Sequence, residues 1–451
     1  MERPPCALTI AGSDSGGGAG IQADLATFRA LGVHGACVLT ALTAQNTRGV
    51  RGILEVPPEF VKKQLEAVRE DLEVEWAKTG MLHTEGAREV VVREARRHGL
   101  KLVVDPVRRA STGAELARGG MEELVAAAEV VTPNIPEAEE LSGLRIRSLE
   151  EMKEAARRIA EKGARAVLLK GGHLRGPKVF DVFYRREEIR VFEAPRLPSS
   201  FHGTGCILSA ALTAELAKGR EMGEAVEEAA MGEAVEEAIG FLRSLLGRAL
   251  RVGRGLPVLD PVLPLREEAG RGRAVEEVWR AAQLLCSEPS FASLLPEVGT
   301  NVVMVPPGAK ELSQVVGLSG RIVKVEGRPH LTGFPRLGGS EHVARLVLTA
   351  SSLDPSLRAG LNLRFSPSVL RACRRLGLEV GEFRREEEPA GVKTMEWAVK
   401  YLVRKKGKVP RVIVDRGGRG KEAMVRLLGG TPTEVAELAL RILKEVGERE
   451  G

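Results

Sequence analysis

His202-Gly203-Thr204-Gly205-Cys206 runs directly into Ile207-Leu208-Ser209-Ala210-Ala211-Leu212-Thr213-Ala214-Glu215-Leu216, an Ala- and Leu-rich segment of good helix propensity. The residues before it, Phe192 to Ser200, read as extended. Two glycines at a strand-to-helix junction let backbone N–H groups converge on one point, and the unpaired N–H groups of the helix start add partial positive charge there. The pattern predicts an anion site built on Gly203, Thr204 and Gly205 and suited to a phosphoryl group under transfer. At the same helix start the dipole is expected to lower the pKa of Cys206, and a thiolate beside a substrate oxygen acts as a general base. The spacing also suits a small, inert cysteine buried after a tight turn.

Outward from this stretch, the first half alternates strands and helices. Residues 7–11 read as a buried strand feeding Gly12-Ser13-Asp14-Ser15-Gly16-Gly17-Gly18-Ala19-Gly20, then an amphipathic helix over 21–31. That loop fits neither Gly-x-Gly-x-x-Gly nor Gly-x4-Gly-Lys-Ser/Thr, so by itself it predicts only the close approach of a ligand or another backbone. Further strands are expected over 36–44, 76–81, 102–104, 130–132 and 166–169, with helices over 59–71 and 85–98 among them. This alternation predicts a doubly wound parallel sheet. Asp105, Asn134, Glu137, Lys170 and Cys206 each follow an apolar strand, and so line the one sheet edge where such folds bind ligands. Carboxylates for Mg²⁺ (Asp105, Glu137), a lysine for phosphate charge and an anion hole are the parts of phosphoryl transfer. Asn134 and Glu137 equally suit a helix cap.

On these strings, residues 5 to about 262 resemble the hydroxymethylpyrimidine/phosphomethylpyrimidine kinases of thiamine biosynthesis, in the ribokinase-like superfamily. The resemblance is carried by Ala7-Leu8-Thr9-Ile10-Ala11-Gly12-Ser13-Asp14, Gly17-Gly18-Ala19-Gly20-Ile21-Gln22-Ala23-Asp24-Leu25, Thr40-Ala41-Leu42-Thr43-Ala44-Gln45-Asn46-Thr47, Lys78-Thr79-Gly80-Met81-Leu82, Thr132-Pro133-Asn134-Ile135-Pro136-Glu137-Ala138, Leu169-Lys170-Gly171-Gly172-His173 and the opening stretch. It implies a ribokinase-like doubly wound sheet in which Asp24, Gln45 and Met81 hold the aminopyrimidine beside Gly12. Asn134 and Glu137 then organise Mg²⁺ and phosphate, Lys170 contacts ATP phosphates, and Cys206 stands where most relatives carry an Asp base. Val107-Arg108-Arg109-Ala110-Ser111-Thr112-Gly113 departs from the family pattern, placing two arginines near the active edge.

The length of 451 residues implies two domains, and 43% hydrophobic with 28% charged residues implies an ordinary globular protein. No run of eighteen apolar residues and no signal peptide is found, which with five scattered cysteines predicts a cytoplasmic protein without disulfides or structural zinc. The net charge of +6, with 4% aromatics and basic residues interleaved with Glu, fits phosphate-bearing substrates better than nucleic acid or a membrane. Abundant Glu and Arg with sparse Asn and Gln suggests a thermophile. Residues Met222 to Ala229 recur as Met231 to Ala238, an echo whose period of nine puts the copies on opposite helix faces.

Gly253, Gly255, Pro257, Pro261, Pro264, Gly270 and Gly272 are expected to break any long element, which makes 263–273 a linker between domains of residues 1–262 and 274–451. Beyond it the pattern is again α/β, with a helix over 274–285, strands over 301–305 and 321–325, and Ser340 as the N-cap of a helix over 341–351. Ser340 and His342 make an anion-binding candidate among scattered arginines. Residues from about 275 to 448 resemble the thiamine-phosphate synthase domain fused to this kinase in archaea and some bacteria, on Val298-Gly299-Thr300-Asn301, Gly320-Arg321-Ile322-Val323-Lys324-Val325, Gly339-Ser340-Glu341-His342-Val343-Ala344-Arg345, Asn362-Leu363-Arg364-Phe365-Ser366-Pro367, Met395-Glu396-Trp397 and Val414-Asp415-Arg416-Gly417-Gly418-Arg419-Gly420-Lys421-Glu422. The resemblance implies a three-layer α/β/α domain with a mixed sheet and catalytic Arg321 and His342. Together the two halves imply a homodimeric enzyme that uses ATP and Mg²⁺ and takes hydroxymethylpyrimidine, its phosphates and thiazole phosphate. The rival readings are a second half that only senses ligand, a kinase acting on pyridoxal, and a nucleic-acid-binding regulator, which lacks a helix-turn-helix.

Overall fold

The computed structural model describes residues 3–109, 113–116, 120–197, 201–219, 224–389, 391–418 and 420–447, and the side chains of all of these but 224–229. It divides into two compact units between residues 264 and 265.

In the first unit the strands are β1 (Cys6–Asp14), β2 (His34–Asn46), β3 (Gly49–Glu55), β4 (Trp76–Thr79), β5 (Lys101–Val104), β6 (Ala128–Val131), β7 (Ala166–Leu169), β8 (Lys178–Arg185) and β9 (Glu188–Pro195). They form one sheet in the order β3-β2-β1-β4-β5-β6-β7-β8-β9. The run from β2 to β7 is parallel, while β3, β8 and β9 add antiparallel edges. Sequence reading finds the parallel run and, in the extended stretch from Phe192, the second half of β9, but misses β3 and β8. β3 has four of its seven residues exposed, and β8 and β9 intersperse charged residues among apolar ones, so none of the three has the continuous apolar signature of a central strand.

Helices cover both faces: α1 (Gly20–Ala30), α2 (Pro58–Asp71), α3 (Glu85–His98), α4 (Glu122–Ala126), α5 (Ile135–Ser142), α6 (Leu149–Glu161), α7 (Thr204–Lys218) and α8 (Glu224–Leu246). Alternation along each strand sorts them. Leu8, Ile10, Leu102 and Val104 point into a core with α2 to α6, while Ala7, Trp76, Val103 and Val130 point into a second core with α1, α7 and α8. The chain runs outward from β1 to β2 and then returns to its other side at β4. The β1/β4 boundary is therefore the switch point, and the carboxyl ends around it are where a ligand fits. The echo at 222–238 begins outside the described residues, as do Ala110, Ser111 and Thr112 of the departing loop.

The expected linker is a correction. Residues 263–273 lie inside α9 (Leu263–Cys286), a single helix of 24 residues. Gly270 costs the helix about 1 kcal/mol against alanine, yet a Cβ there would meet Pro307 Cδ at 2.8 Å, so close packing demands the glycine that reads as a breaker. Nor do the preceding Gly and Pro residues hang free: the amide of Leu256 donates to Thr47 O (3.0 Å), and Val258 bridges to both His202 and Leu250.

The second unit holds β10 (Val302–Met304), β11 (Val316–Leu318), β12 (Ile322–Val325), β13 (Arg328–Leu331), β14 (Pro335–Leu337), β15 (Ala359–Arg364), β16 (Val380–Phe383), β17 (Val412–Asp415) and β18 (Met424–Gly429). Seven strands form a sheet in the order β14-β11-β10-β15-β18-β17-β16, with only β16/β17 parallel, and β12/β13 stand apart as a hairpin. Helices α9, α11 (Pro367–Arg375) and α13 (Pro432–Gly447) pack on one face, and α10 (His342–Leu353) and α12 (Thr394–Lys406) on the other. This is the three-layer α/β/α arrangement with a mixed sheet. Among the described residues no helix is long and apolar enough to cross a membrane.

Candidate active sites

At the end of β1 the chain turns over the start of α7, and Asp14 holds the turn. Its Oδ1 accepts from the amide of Gly16 (2.8 Å), its Oδ2 from those of Gly18 (3.1 Å) and Ala19 (2.9 Å), and His202 Nε2 lies 3.0 Å from Oδ2. Burial works against the charge, but the His202 contact and the amides outweigh it and keep this carboxyl below its ordinary range. Gly203 has φ +84°, and a Cβ there would fall 1.9 Å from Gly18 O, so the helix start and the glycine loop touch backbone to backbone. Gly12 is likewise roofed by Met81, whose Sδ would lie 3.0 Å from an added Cβ. Met81, Ala41 and Leu116 form a small apolar wall beside it, and Gln45, near the end of β2, reaches His202 at 3.2 Å. Gly12, Gln45, Met81 and the start of α7 are thus brought together.

Two expectations are corrected here. Asp24 is fully buried: Lys78 Nζ donates to its Oδ1 (2.9 Å) and Oδ2 (2.7 Å), and Thr9 Oγ1 donates to Oδ2 (2.6 Å). A carboxylate so enclosed is closed to a pyrimidine, and Asp24 instead holds Lys78 beneath the site. The second correction is the thiol. Cys206 does occupy the first turn of α7, but burial pushes its pKa up to about 11. The Lys78 ammonium opposes this, while the Asp24 and Asp105 carboxylates reinforce it. At neutral pH the thiol of the free protein is protonated, because the cost of desolvating a thiolate exceeds what one helix turn returns.

Farther along the same edge, Lys170 Nζ donates to Asp105 Oδ1 at 2.8 Å, and a Cβ on Gly205 would lie 3.3 Å from both Asp105 Oδ2 and Lys170 Nζ. Burial disfavours the Lys170 charge, but Asp105 and Glu137 more than compensate and hold its pKa up. Asn134 and Glu137 form the capping box of α5: Glu137 N donates to Asn134 Oδ1 (3.0 Å), and Asn134 N donates to Glu137 Oε2 (2.9 Å). The helix-cap reading of these two residues therefore holds, alongside their position at the charged edge. Arg108 is paired with Glu140 at 3.0 Å, which neutralises one of the two arginines of the departing loop.

Glu137 gives a pH signature. Burial raises its pKa to about 7 against the pull of Lys170. A carboxyl whose folded-state pKa lies above its unfolded value adds stability that is complete below the unfolded value and is lost as pH rises through the folded one. At about 1.4 kcal/mol per pKa unit, stability without metal or nucleotide will fall by up to ~3 kcal/mol between about pH 4.5 and pH 7. Denaturation of wild type and Glu137→Gln over that range checks this; parallel pH curves would refute it.

In the second unit, Arg321 follows Gly320 and donates through Nη1 to Val298 O, while its amide donates to Thr332 Oγ1 at 3.0 Å. His342 is the first residue of α10, and the N-cap is Glu341, with no side-chain cap. Ser340 as N-cap is thus a correction: Ser340 packs against Gly317 and leaves the helix start to its own amides. Partial burial lowers the His342 pKa, and Arg426, Lys421 and Arg321 reinforce this against Glu341, so three cations gather around a neutral imidazole. Beneath them Asn301 and Asn362 brace the strand ends: Asn362 Oδ1 accepts from Asn301 N (2.8 Å), and Asn301 Nδ2 donates to Leu318 O (2.9 Å). Asp415, fully buried, takes Arg385 through both oxygens (3.1 and 2.7 Å) and Arg426 at 3.4 Å. Roles for Asn301, Asn362, Arg385, Asp415, Arg426 and Lys421 escape sequence reading. For Arg426 a signal existed, since an arginine flanked by Val425, Leu427 and Leu428 cannot be an ordinary surface charge.

Comparison with known proteins is consistent with this geometry. Residues 14–260 match the phosphomethylpyrimidine kinase family and residues 277–441 the ThiN thiamine-phosphate synthase family. The bifunctional thiamine biosynthesis protein ThiDN of Methanocaldococcus jannaschii is 31% identical over 438 residues, covering 95% of this chain and 96% of that protein. The hydroxymethylpyrimidine/phosphomethylpyrimidine kinase of Rhizobium meliloti is 49% identical over 230 residues, 49% of this chain and 86% of its own length. Among solved structures, Bacillus subtilis pyridoxal kinase in complex with ADP superposes with a TM-score of 0.52 at 33% identity, over 58% of this chain and all of that one.

Proposed function

This chain belongs to the phosphomethylpyrimidine kinase family, in the form fused to a ThiN-type thiamine-phosphate synthase, and from that we propose how its two sites divide the work. It is a bifunctional enzyme of thiamine biosynthesis. The first unit phosphorylates hydroxymethylpyrimidine and its monophosphate with ATP; the second condenses the diphosphate with thiazole phosphate, releasing pyrophosphate. The observation that carries the kinase reading is Lys170, lodged between Asp105 and Glu137 and against Gly205 at the start of α7.

In the kinase site the amides of Gly203, Thr204 and Gly205 face the transferring phosphoryl group, and Lys170 neutralises charge on the phosphates. Asp105 and Glu137 offer two hard oxygen ligands at one edge, and among the described residues no larger cluster of His, Cys, Asp and Glu exists. That donor set suits Mg²⁺, which takes one or two carboxylates and completes its shell with water and substrate phosphates. Bound there, the ion would spread charge over the phosphate oxygens. The Gly12–Met81 wall and Gln45 orient the pyrimidine. With a protonated thiol, Cys206 orients the attacking hydroxyl in place of abstracting its proton early, as a loose phosphoryl-transfer transition state allows. In the synthase site Arg321, with Ser340 and the amides at the start of α10, receives the leaving pyrophosphate. His342, neutral among cations, donates a hydrogen bond to it. The proposal includes a cytoplasmic homodimer, for which the exposed cross-strand pair Leu42 and Leu54 is the candidate contact.

The full chain supplied with hydroxymethylpyrimidine, Mg²⁺-ATP and thiazole phosphate will accumulate thiamine phosphate. Arg321→Ala and His342→Ala will stop at the pyrimidine diphosphate, each lowering synthase turnover at least about tenfold. No thiamine phosphate from the wild-type chain would leave the second unit as a ligand sensor, and undiminished product from both variants would remove Arg321 and His342 from the synthase chemistry. Faster phosphorylation of pyridoxal than of hydroxymethylpyrimidine would overturn the kinase assignment.

A further inference from the structure

Arg321 is exposed, yet it is tied down at both ends. Its guanidinium donates through Nη1 to Val298 O, and its backbone follows Gly320, whose carbonyl accepts from Asn301 Nδ2 at 3.1 Å. Val298 in turn precedes Gly299, whose carbonyl accepts from Asn362 Nδ2 at 2.9 Å. One asparagine therefore holds the loop that carries Arg321, and the other holds the loop that anchors its side chain. The two asparagines are joined directly, because Asn301 N donates to Asn362 Oδ1 at 2.8 Å. They sit side by side where β10 meets β15, one step beyond the paired Val302 and Leu361.

The network leaves little slack. Asn301 Oδ1 accepts from Leu318 N (3.1 Å) and its Nδ2 also donates to Leu318 O (2.9 Å), while Asn362 Nδ2 reaches Met424 Sδ at 3.8 Å. Backbone groups face each end of both amides, so their directions are fixed: an N–H demands the oxygen and a carbonyl demands the nitrogen. Thr300 and Ile322 exchange N–H···O bonds in both directions at 2.8 Å, which binds the two loops where they cross. Gly299 has φ +78°, and a Cβ there would fall 2.9 Å from Ile322 O and 3.1 Å from Arg321 Cβ, an approach open to glycine. Asn301 is 7% exposed and Asn362 4%, so with their amides already bonded neither is offered to a substrate. What they fix is the place of Arg321.

We propose that Asn301 and Asn362 are positioning residues of the synthase reaction, a clasp on two crossing loops that fixes Arg321 by backbone and guanidinium together and leaves the rest of its fork to the departing pyrophosphate. The proposal rests on the reading above that Arg321 receives that group. A free surface arginine gives up much rotamer freedom when it engages an anion. The clasp takes that loss before the substrate arrives, so the donors meet developing charge without reorganisation. His342 begins α10, a separate element, and is not held by the clasp.

The test is a double-mutant cycle on the full chain, supplied with pyrimidine diphosphate, thiazole phosphate and Mg²⁺ and read as thiamine phosphate formed. Asn301→Ala is expected to lower kcat by about 10- to 100-fold while KM for the diphosphate moves less than about threefold, the mark of lost orientation. In an Arg321→Ala chain the same substitution should cost no more than about twofold, because nothing is left to position; in a His342→Ala chain it should keep most of its cost. An equal cost in wild type and in Arg321→Ala would mean a merely structural role and overturn the proposal. A cost that vanishes in His342→Ala as well would overturn the assignment to Arg321. If Asn301→Ala does not fold, Asn362→Asp carries the cycle, since it keeps the acceptor for Asn301 N and loses the donor to Gly299 O. Full turnover in Arg321→Ala alone would remove the premise and the clasp with it. A slow Arg321→Ala beside an undiminished Asn301→Ala would overturn the clasp only.

Discussion

Replacing Lys170 by Met will lower kinase turnover about a thousandfold, the size of effect seen when a donor aimed at developing transition-state charge is removed. The ammonium bonds Asp105 at 2.8 Å, feels Glu137, and stands beside Gly205 at the helix start, so it links the carboxylates to the anion site. Without it, the two carboxylates repel both each other and the incoming phosphates. Glu137, already raised to about 7, will rise further and leave the edge partly protonated at neutral pH. Thiamine phosphate formation from supplied pyrimidine diphosphate should stay within about twofold of wild type, because sites without shared partners behave independently. Cys206→Ala sharpens the contrast: with a protonated thiol it should cost about tenfold, in the lower range for a lost orienting contact. Equal losses for the two variants would restore the thiol to the role of base. Single-turnover ADP formation measures both.

What the sequence made legible follows a physical division. Asp105, Asn134, Glu137, Lys170 and Cys206 each come directly after a continuous apolar run, and a parallel sheet places such positions on one edge whatever the helices do. Their grouping was readable before any coordinate. Their protonation was not. The helix-start argument for Cys206 considered one turn of α7 and could not include Asp24 and Asp105, which arrive from elsewhere in the chain and penalise a thiolate. Asp24 failed for the same reason: nothing near it in sequence announces Lys78, the partner 54 residues away that encloses it. In α9, too, the distant Pro307 explains a glycine that reads locally as a breaker. The role of His202 went unread because its partners, Asp14 and Gln45, lie on separate strands. Local pattern shows which residues face a site. Charge state and hydrogen-bond direction depend on contacts distant in sequence.

Lys78→Met will destabilise the first unit by about 3–5 kcal/mol, the cost of leaving one member of a buried ion pair without its partner. Both side chains are fully buried, and the ammonium sits 2.7 Å from Asp24 Oδ2 between β4 and α1. Burial alone would discharge Lys78, and the nearby carboxylates, Asp24 first, hold its pKa up instead. The deficit in Lys78→Met is therefore an electrostatic one at Asp24. It should be repaired by removing that charge: Lys78→Met/Asp24→Leu still strands the Thr9 hydroxyl, which donates to Asp24 at 2.6 Å, so the full repair adds Thr9→Val. The triple variant should return to within about 1–2 kcal/mol of wild type, since a well-packed apolar replacement of a buried ion pair is often neutral. Trp76, 6% exposed on β4, reports unfolding of this unit once Trp279 and Trp397 are changed to Phe. A triple variant no more stable than Lys78→Met would mean that packing, not charge, is what Lys78 supplies. A repaired but inactive triple variant would give the Lys78 ammonium a second task, in the charge balance of the site above it, where it stands near Cys206 and Asp105.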